Sequence, residues 1–383
     1  MTVGILYPRS SAHPDMGVDF VDGIKALIKK EIPDGEIQLL MEGVGFGGSE
    51  KEVYEKAEKL LRIEKADVLI AFIDQKVLAV LEPLVHSTGS LLLVVNAGAN
   101  YPSNWISQPN IMYLTLHHAF LCSLSGRLAS QRGPAKAVMA TTFFDCGYLH
   151  TAAMVNGFVE QGGSIAYNYV NNQKYNESFE ISQLTDFLDG DKETSKLLSA
   201  FDSFPATLFY DRLKNYEDAN RLELFVSPMM LEENGMNALL NAANFSVKGY
   251  KPWQLSLTNK YNESFIDFYR KFSKKDATIF SLLGWEAGLV LQQLNKYAGT
   301  QSGNGVKLAE QMKKVKLESP RGEMFLDEET NYFLTPAIKL EIAGGEVATT
   351  TVPIETVRKD WQTFTVVEAD PAASGWTNTY LCY

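Results

Sequence analysis

Short apolar runs of strand length alternate with longer amphipathic stretches over most of the chain. Val3-Gly4-Ile5-Leu6-Tyr7 is the first such run, followed by a Pro/Ser/Gly-rich loop to Gly17. A helical pattern then covers residues 18–30. Strands are predicted at 36–41, 66–73 and 90–95, with helices at 49–63 and 77–88, the second stopped by Gly89. The fourth strand ends at Asn96-Ala97-Gly98-Ala99-Asn100. Residues 111–114 read as a short further strand and 119–131 as a helix. The strands are nearly continuous Val/Ile/Leu runs, as a parallel sheet covered on both faces requires.

The same plan then restarts. Strands are predicted at 137–141, 165–170, 206–210 and 223–226. Helices are predicted at 148–161, 184–188, 216–221 and 235–243. Residues 250–257 contain Pro252 and read as a crossover. Two strong helices follow at 259–272 and 277–297. In the first, Tyr261, Phe265, Phe268, Tyr269 and Phe272 form one stripe at three- and four-residue spacing. Trp285 falls within the buried pattern of the second. A helix at 306–315 precedes strands at 323–327 and 337–342, which are read as joined by a turn. Beyond Gly344 the pattern assigns no clear element. An α/β unit that begins twice, about a domain length apart, predicts two similar lobes. Ligands of open α/β sheets sit outside the carboxyl ends of the strands, so the chain reads as a two-lobed ligand binder.

Composition narrows the function. The 383 residues are 45% hydrophobic and 21% charged, which allows a full core in each lobe. A net charge of −11 disfavours phosphate backbones, and Lys274-Lys275 and Lys313-Lys314 are isolated pairs, so no nucleic-acid partner is expected. No apolar run approaches the ~20 residues that span a bilayer. The three cysteines, Cys122, Cys146 and Cys382, are not spaced for a metal. Their odd number leaves a free thiol unless chains pair, and a Cys146–Cys382 bridge stays open.

Enzyme signatures are missing. Gly43-Val44-Gly45-Phe46-Gly47-Gly48 does not fit GxGxxG, and no phosphate-loop Lys follows it. His13, His86, His117, His118 and His150 are scattered, and no G-x-S-x-G elbow occurs. No catalytic residue, metal or cofactor is expected.

Several stretches in order resemble a known family. They are Val3-Gly4-Ile5-Leu6-Tyr7-Pro8 with Gly17 and Asp22-Gly23-Ile24, the passage 57–73, Asn96-Ala97-Gly98-Ala99-Asn100, and Gly133-Pro134-Ala135-Lys136-Ala137-Val138. Further on come Asp145-Cys146-Gly147-Tyr148 with Phe158 and Gly162-Gly163, then Gly284-Trp285-Glu286-Ala287, and Arg321-Gly322-Glu323-Met324-Phe325-Leu326-Asp327. Over residues 3–342 the chain resembles the type I periplasmic binding proteins, specifically the branched-chain amino-acid (Leu/Ile/Val) receptors of ABC importers. The resemblance implies an α/β protein of two Rossmann-like lobes with mostly parallel sheets, joined by a three-segment hinge. Lobe one would comprise 1–118 and 251–322, and lobe two 119–250 and 323–383, with crossings near 116–121, 249–253 and 322–335. It further implies a monomer or weak dimer that traps a small polar or amphipathic, amino-acid-like molecule by hinge closure and hands it to a membrane permease. The expected location is periplasmic or lipid-anchored outside the cytoplasm, with the export signal absent from this sequence. A ligand-sensing receptor or regulator of the same fold is the alternative.

The resemblance also places the ligand. In lobe one the corresponding loops are Phe72-Ile73-Asp74-Gln75 and Gly98-Ala99-Asn100. Gln75 stands where a Ser is usual and Asn100 where a Thr is usual. In lobe two a usual Tyr falls on Cys146, with Phe144 and Tyr148 beside it. The acidic residue that often pairs a ligand ammonium falls on Met229. An ammonium buried without a counter-charge costs several kcal/mol, so amino-acid specificity carries over less well than the fold. Asp74 or Asp211 would be the substitute anion, unless each is a solvated loop carboxylate. The candidate ligand residues are therefore Asp74, Gln75, Asn96, Gly98, Ala99, Asn100, Phe144, Cys146, Tyr148, Tyr210, Asp211 and Met229. For each there is a plainer role: turn capping for the Asn and Asp residues, and core packing for the aromatic residues and Met229.

Overall fold

The computed structural model describes the chain except for residues 103–104, 106–107, 132, 134, 143–146, 172–178, 241–243, 302–303, 367–379 and 381–383. The chain divides into two compact units. Unit 1 is Met1–Leu116, Trp253–Pro336 and Tyr380–Tyr383, and unit 2 is His117–Pro252 and Ala337–Thr379.

The first segment of unit 1 runs β1 (Thr2–Tyr7), α1 (Met16–Glu31), β2 (Gln38–Gly43), α2 (Glu50–Glu58), β3 (Val68–Phe72), α3 (Leu78–Thr88), β4 (Leu91–Asn96) and β5 (Ile111–Thr115). The strands form one parallel sheet in the order β2-β1-β3-β4-β5. Every residue of β3, β4 and β5 is buried, the mark of strands covered on both faces.

Unit 2 begins with α4 (His118–Ser130), β6 (Lys136–Thr142), α5 (Gly147–Val159), β7 (Ser164–Asn171), α6 (Ser182–Gly190) and β8 (Lys196–Ala200). It continues with α7 (Ser203–Leu213), β9 (Glu223–Val226), α8 (Glu233–Leu240) and β10 (Ser246–Lys251). Helices α4 and α5 pack closely because glycines meet backbone: a Cβ on Gly126 would lie 2.0 Å from the Met154 carbonyl oxygen.

The segment expected as a strand at 206–210 is the middle of α7. Ala206, Phe209, Tyr210 and Leu213 are all fully buried, and their spacing is helical, so one face of α7 packs into the core of the unit. A five-residue apolar run is ambiguous by periodicity alone. The third strand in sequence is instead β8, whose register with β6 and β9 fills the sheet. The helix expected at 216–221 is a 3₁₀ turn at Ala219–Arg221. The crossover expected from 250 is preceded by β10, which reaches Lys251.

The chain then returns to unit 1 with α9 (Lys260–Ser273), α10 (Ile279–Gln301), α11 (Gly305–Met312), β11 (Lys316–Ser319), β12 (Gly322–Leu326) and β13 (Phe333–Leu334). Asn259 caps α9 by accepting from the Tyr261 and Asn262 amides. Fully buried Asn262 accepts from Trp253 Nε1 at 2.8 Å and donates to the carbonyls of Leu255 and Leu257, which fixes the entry to the helix. Phe265 and Tyr269 of the aromatic stripe join Trp253 and Trp285 in one core cluster, whereas Phe272 is 38% exposed. Helix α10 runs against α1, where a Cβ on Gly284 would lie 2.0 Å from the Phe20 carbonyl oxygen.

The last described elements of unit 2 are β14 (Ala337–Ala343), β15 (Glu346–Val352) and α12 (Ile354–Val366). The sheet of unit 2 has the order β15-β14-β10-β9-β8-β6-β7, in which β14 is antiparallel to both its neighbours and the remaining pairs are parallel. The strands at 323–327 and 337–342 are not paired with each other. β12 pairs with β11 and β13 in a small antiparallel sheet, and β14 pairs with β10 and β15. Residues 323–336, expected in the second lobe, lie in unit 1. The Asn331 carbonyl accepts the Tyr113 amide at 2.9 Å, and the Tyr332 ring stacks on that of Tyr113. Beyond Gly344, where the sequence pattern was poor, Trp361 of α12 is fully buried against His117 and Phe120.

Candidate functional site

In unit 1 the carboxyl ends of β1, β3, β4 and β5 lie on one edge of a parallel sheet, where open α/β folds bind ligands. Phe72 is in register with Val95, so the turns after β3 and β4 leave the sheet side by side. Asp74 is buried, and its carboxylate accepts the Lys76 amide at 3.0 Å, opening the 3₁₀ turn Gln75–Val77. That is the capping role. Gln75 follows it. Its amide lies near the Tyr113 hydroxyl, while its Oε1 is buried with no hydrogen-bond partner.

After β4, Asn96 Oδ1 accepts the Gly98 amide at 2.8 Å, an Asx turn, and Gly98 has φ +69°. That left-handed backbone brings Ala99 and Asn100 into buried positions. Beside them Tyr101, Trp105, Tyr113 and Tyr332 form an aromatic group, with the Tyr113 and Tyr332 rings stacked at 4.3 Å. Burial pushes the hydroxyls of Tyr113 and Tyr332 well above the usual tyrosine range. In the loop after β1, His13 lies edge-on to Phe280 and to Tyr380, and burial lowers its pKa.

In unit 2 the corresponding edge carries the ends of β6, β7, β8, β9 and β10. Phe144 and Cys146 lie outside the described residues. Tyr148 belongs to the first turn of α5, and its side chain is likewise outside them. Met229 is fully buried in the 3₁₀ turn Pro228–Leu231 that leaves β9. No acidic side chain stands on that turn before Glu232.

Tyr210 and Asp211 do not end a strand. Tyr210 is fully buried in the core, and its hydroxyl donates to the Met230 carbonyl at 3.2 Å. Asp211 sits on the surface of α7 in an ion pair with Lys214. Neither is at the sheet edge, because the run that contains them is helical. Ser199 and Ser227, both fully buried at this edge, have hydroxyl oxygens with no hydrogen-bond partner, and Lys251 closes β10 there. Sequence reasoning missed all three. Lys251 falls within the 250–257 stretch that the sequence reads as a crossover, which hides its place at the end of β10.

A separate groove of about 800 Å³ lies on the helical side of unit 1, lined by α2 and α3 through Glu50, Tyr54, Glu58, Val80 and Ser87. It is open to solvent. Among the described residues no group of three His, Cys, Asp or Glu side chains is placed to hold a metal, and no helix is long and apolar enough to cross a membrane.

The family model "Periplasmic binding protein" matches residues 1–346. The chain belongs to that family. The family binds solutes and does not transform them, so this binding protein is not an enzyme. Solved structures share its fold. One is the solute-binding protein of an ABC transporter from R. palustris in complex with benzoate, 20% identical, TM-score 0.69, covering 93% of this chain and 98% of that one. Another is an ABC transporter substrate-binding protein from Sphaerobacter thermophilus, 13% identical, TM-score 0.75, covering 92% and 98%. A third is described as an ABC-type branched-chain amino acid transporter from Rhodopseudomonas palustris CGA009, 15% identical, TM-score 0.70, covering 93% and 97%. At these identities the likeness is one of fold. No curated protein sequence matches the chain.

Proposed function

We propose that this binding protein captures a small amphipathic acid outside the cytoplasm and delivers it to the permease of an ABC importer. The solute is held at the strand-end edge of a parallel sheet, the edge that open α/β folds use for ligands. Gln75, Asn96, Gly98, Ala99 and Asn100 supply the polar contacts from unit 1. In unit 2 the strand-end edge offers Met229 and Ser227. The fold relatives support this breadth: one holds benzoate, and another is described as a branched-chain amino acid transporter.

The observation that carries the reading is Gln75 Oε1, buried without a donor beside the turn at 96–100. A buried acceptor left unsatisfied costs about 1–3 kcal/mol, which the O–H of a hydroxylated acid such as 4-hydroxybenzoate would recover. A solute that binds a closed form of such a fold better than an open one favours closure by population shift.

A thermal-shift screen of benzoate, 4-hydroxybenzoate, leucine and their neutral amides tests the reading. A solute at about 100 times its Kd stabilises by about 2.7 kcal/mol, a shift of several degrees. Gln75→Leu then weakens binding of 4-hydroxybenzoate about tenfold. If no member shifts the melting temperature, or if Q75L binds as tightly as the parent, the reading is overturned.

A further inference from the structure

Lys251 is the last residue of β10, and the register continues two residues past the pairing of Gly249 with Val226. Strand alternation places it on the face of Val247, a member of the unit 2 core, and of Gly249, whose missing Cβ would lie 3.1 Å from Leu231 Cδ1. The ammonium thus rises at the carboxyl edge of the sheet, beside the turn that bears Met229. The residue is only 9% exposed, and among the described residues no carboxylate lies within ion-pair distance and no hydrogen bond is made by Nζ.

The charged groups around it are few. Glu232, just past the 3₁₀ turn, acts on it from a distance. On β14 its register partner is the apolar Ile338, and the neighbouring Lys339 and Glu341 pair with each other. Asp360 of α12 pairs with Arg127. Burial lowers the Lys251 pKa to about 8, with Glu232 opposing the shift. The stem is buried while Nζ keeps contact with solvent, so the ammonium is open to an anion from outside.

We propose that Lys251 is the anion-recognition residue of the solute site, so that the captured solute carries a carboxylate without a balancing ammonium. This rests on the solute-capture reading and goes further, because it names the charge of the solute. Met229 is consistent with it: a zwitterion would bring an ammonium to a wall that offers no acid.

Isothermal titration with benzoate, benzamide, 4-methylpentanoate and leucine tests the proposal on the whole chain and on K251M and K251R. The two carboxylates bind at least tenfold more tightly than benzamide and leucine. K251M loses that preference, and K251R keeps it within about fivefold. K251M also melts above the parent without solute, which separates lost recognition from lost folding. Tight carboxylate binding that K251M leaves unchanged, or benzamide or leucine binding as well as its carboxylate partner, overturns the proposal and leaves capture standing. Binding of none of the four overturns the capture reading and this one together.

Discussion

Replacing Arg321 with Met exposes how unit 1 tolerates charge in its core. The Arg321 and Glu286 side chains are 1% and 0% exposed. Arg321 Nε donates to Glu286 Oε1 at 2.8 Å, and its Nη2 donates to Oε2 at 2.5 Å, a two-pronged contact. Ser319 donates to the same carboxylate, and Arg321 Nη1 donates to the Thr115 carbonyl at 3.3 Å. R321M leaves the Glu286 carboxylate buried with Ser319 as its remaining partner. Breaking such a pair from one side costs about 3–5 kcal/mol. For a body of this size that is a fall of roughly 6–20 °C in melting temperature. Substituting both, Glu286→Leu with Arg321→Met, removes the stranded charge and returns stability to within about 1 kcal/mol of the parent. Urea unfolding followed by tryptophan fluorescence reads this, since Trp253 and Trp285 are buried in the same unit. The reasoning fails if R321M costs under about 1 kcal/mol, or if the double variant is as unstable as the sum of the two singles.

Four further outcomes are expected. Y210F loses one hydrogen bond, costs about 1 kcal/mol and leaves solute affinity unchanged, because Tyr210 is core; a marked affinity loss in titration contradicts this. Gly284→Ala forces α1 and α10 apart and lowers the melting temperature by several degrees, since overpacking costs about 1–3 kcal/mol; an unchanged melting curve contradicts the close approach. Burial lowers the His150 pKa to about 3. The unfolded chain therefore binds the extra proton, and His150's contribution is fully present above about pH 6.5 and is lost as pH falls toward 3, by up to about 1.4 kcal/mol per pH unit. Melting scans from pH 7 to 5 should show a shallower loss for His150→Phe than for the parent. Finally, carboxylate affinity should hold up to about pH 8 and then fall as Lys251 deprotonates, a dependence absent from K251M.

Continuous apolar runs made β1, β3 and β4 legible, because a strand covered on both faces has no polar positions to confuse its period. The turn at 96–100 was legible for the same reason: it follows such a strand. Asp74 and Asn96 illustrate the limit, since turn capping and ligand contact favour the same residues. β8 was missed because Lys196–Ala200 is short and mixed, while the apolar run at 206–210 imitated a strand. Pairing partners were also out of reach. Nothing in 323–327 says that it joins β11 rather than β14, since that choice is made by the stacking of Tyr332 on Tyr113, far apart in sequence. Lys251 was invisible as a site because hydrophobic periodicity does not report how deeply a strand's last residue is buried.

Small-angle X-ray scattering with and without a saturating solute from the thermal-shift screen tests the central claim most directly. Capture by closure predicts a smaller radius of gyration in the loaded protein, with the change in Q75L requiring about tenfold more 4-hydroxybenzoate. An unchanged scattering profile at full occupancy would contradict it.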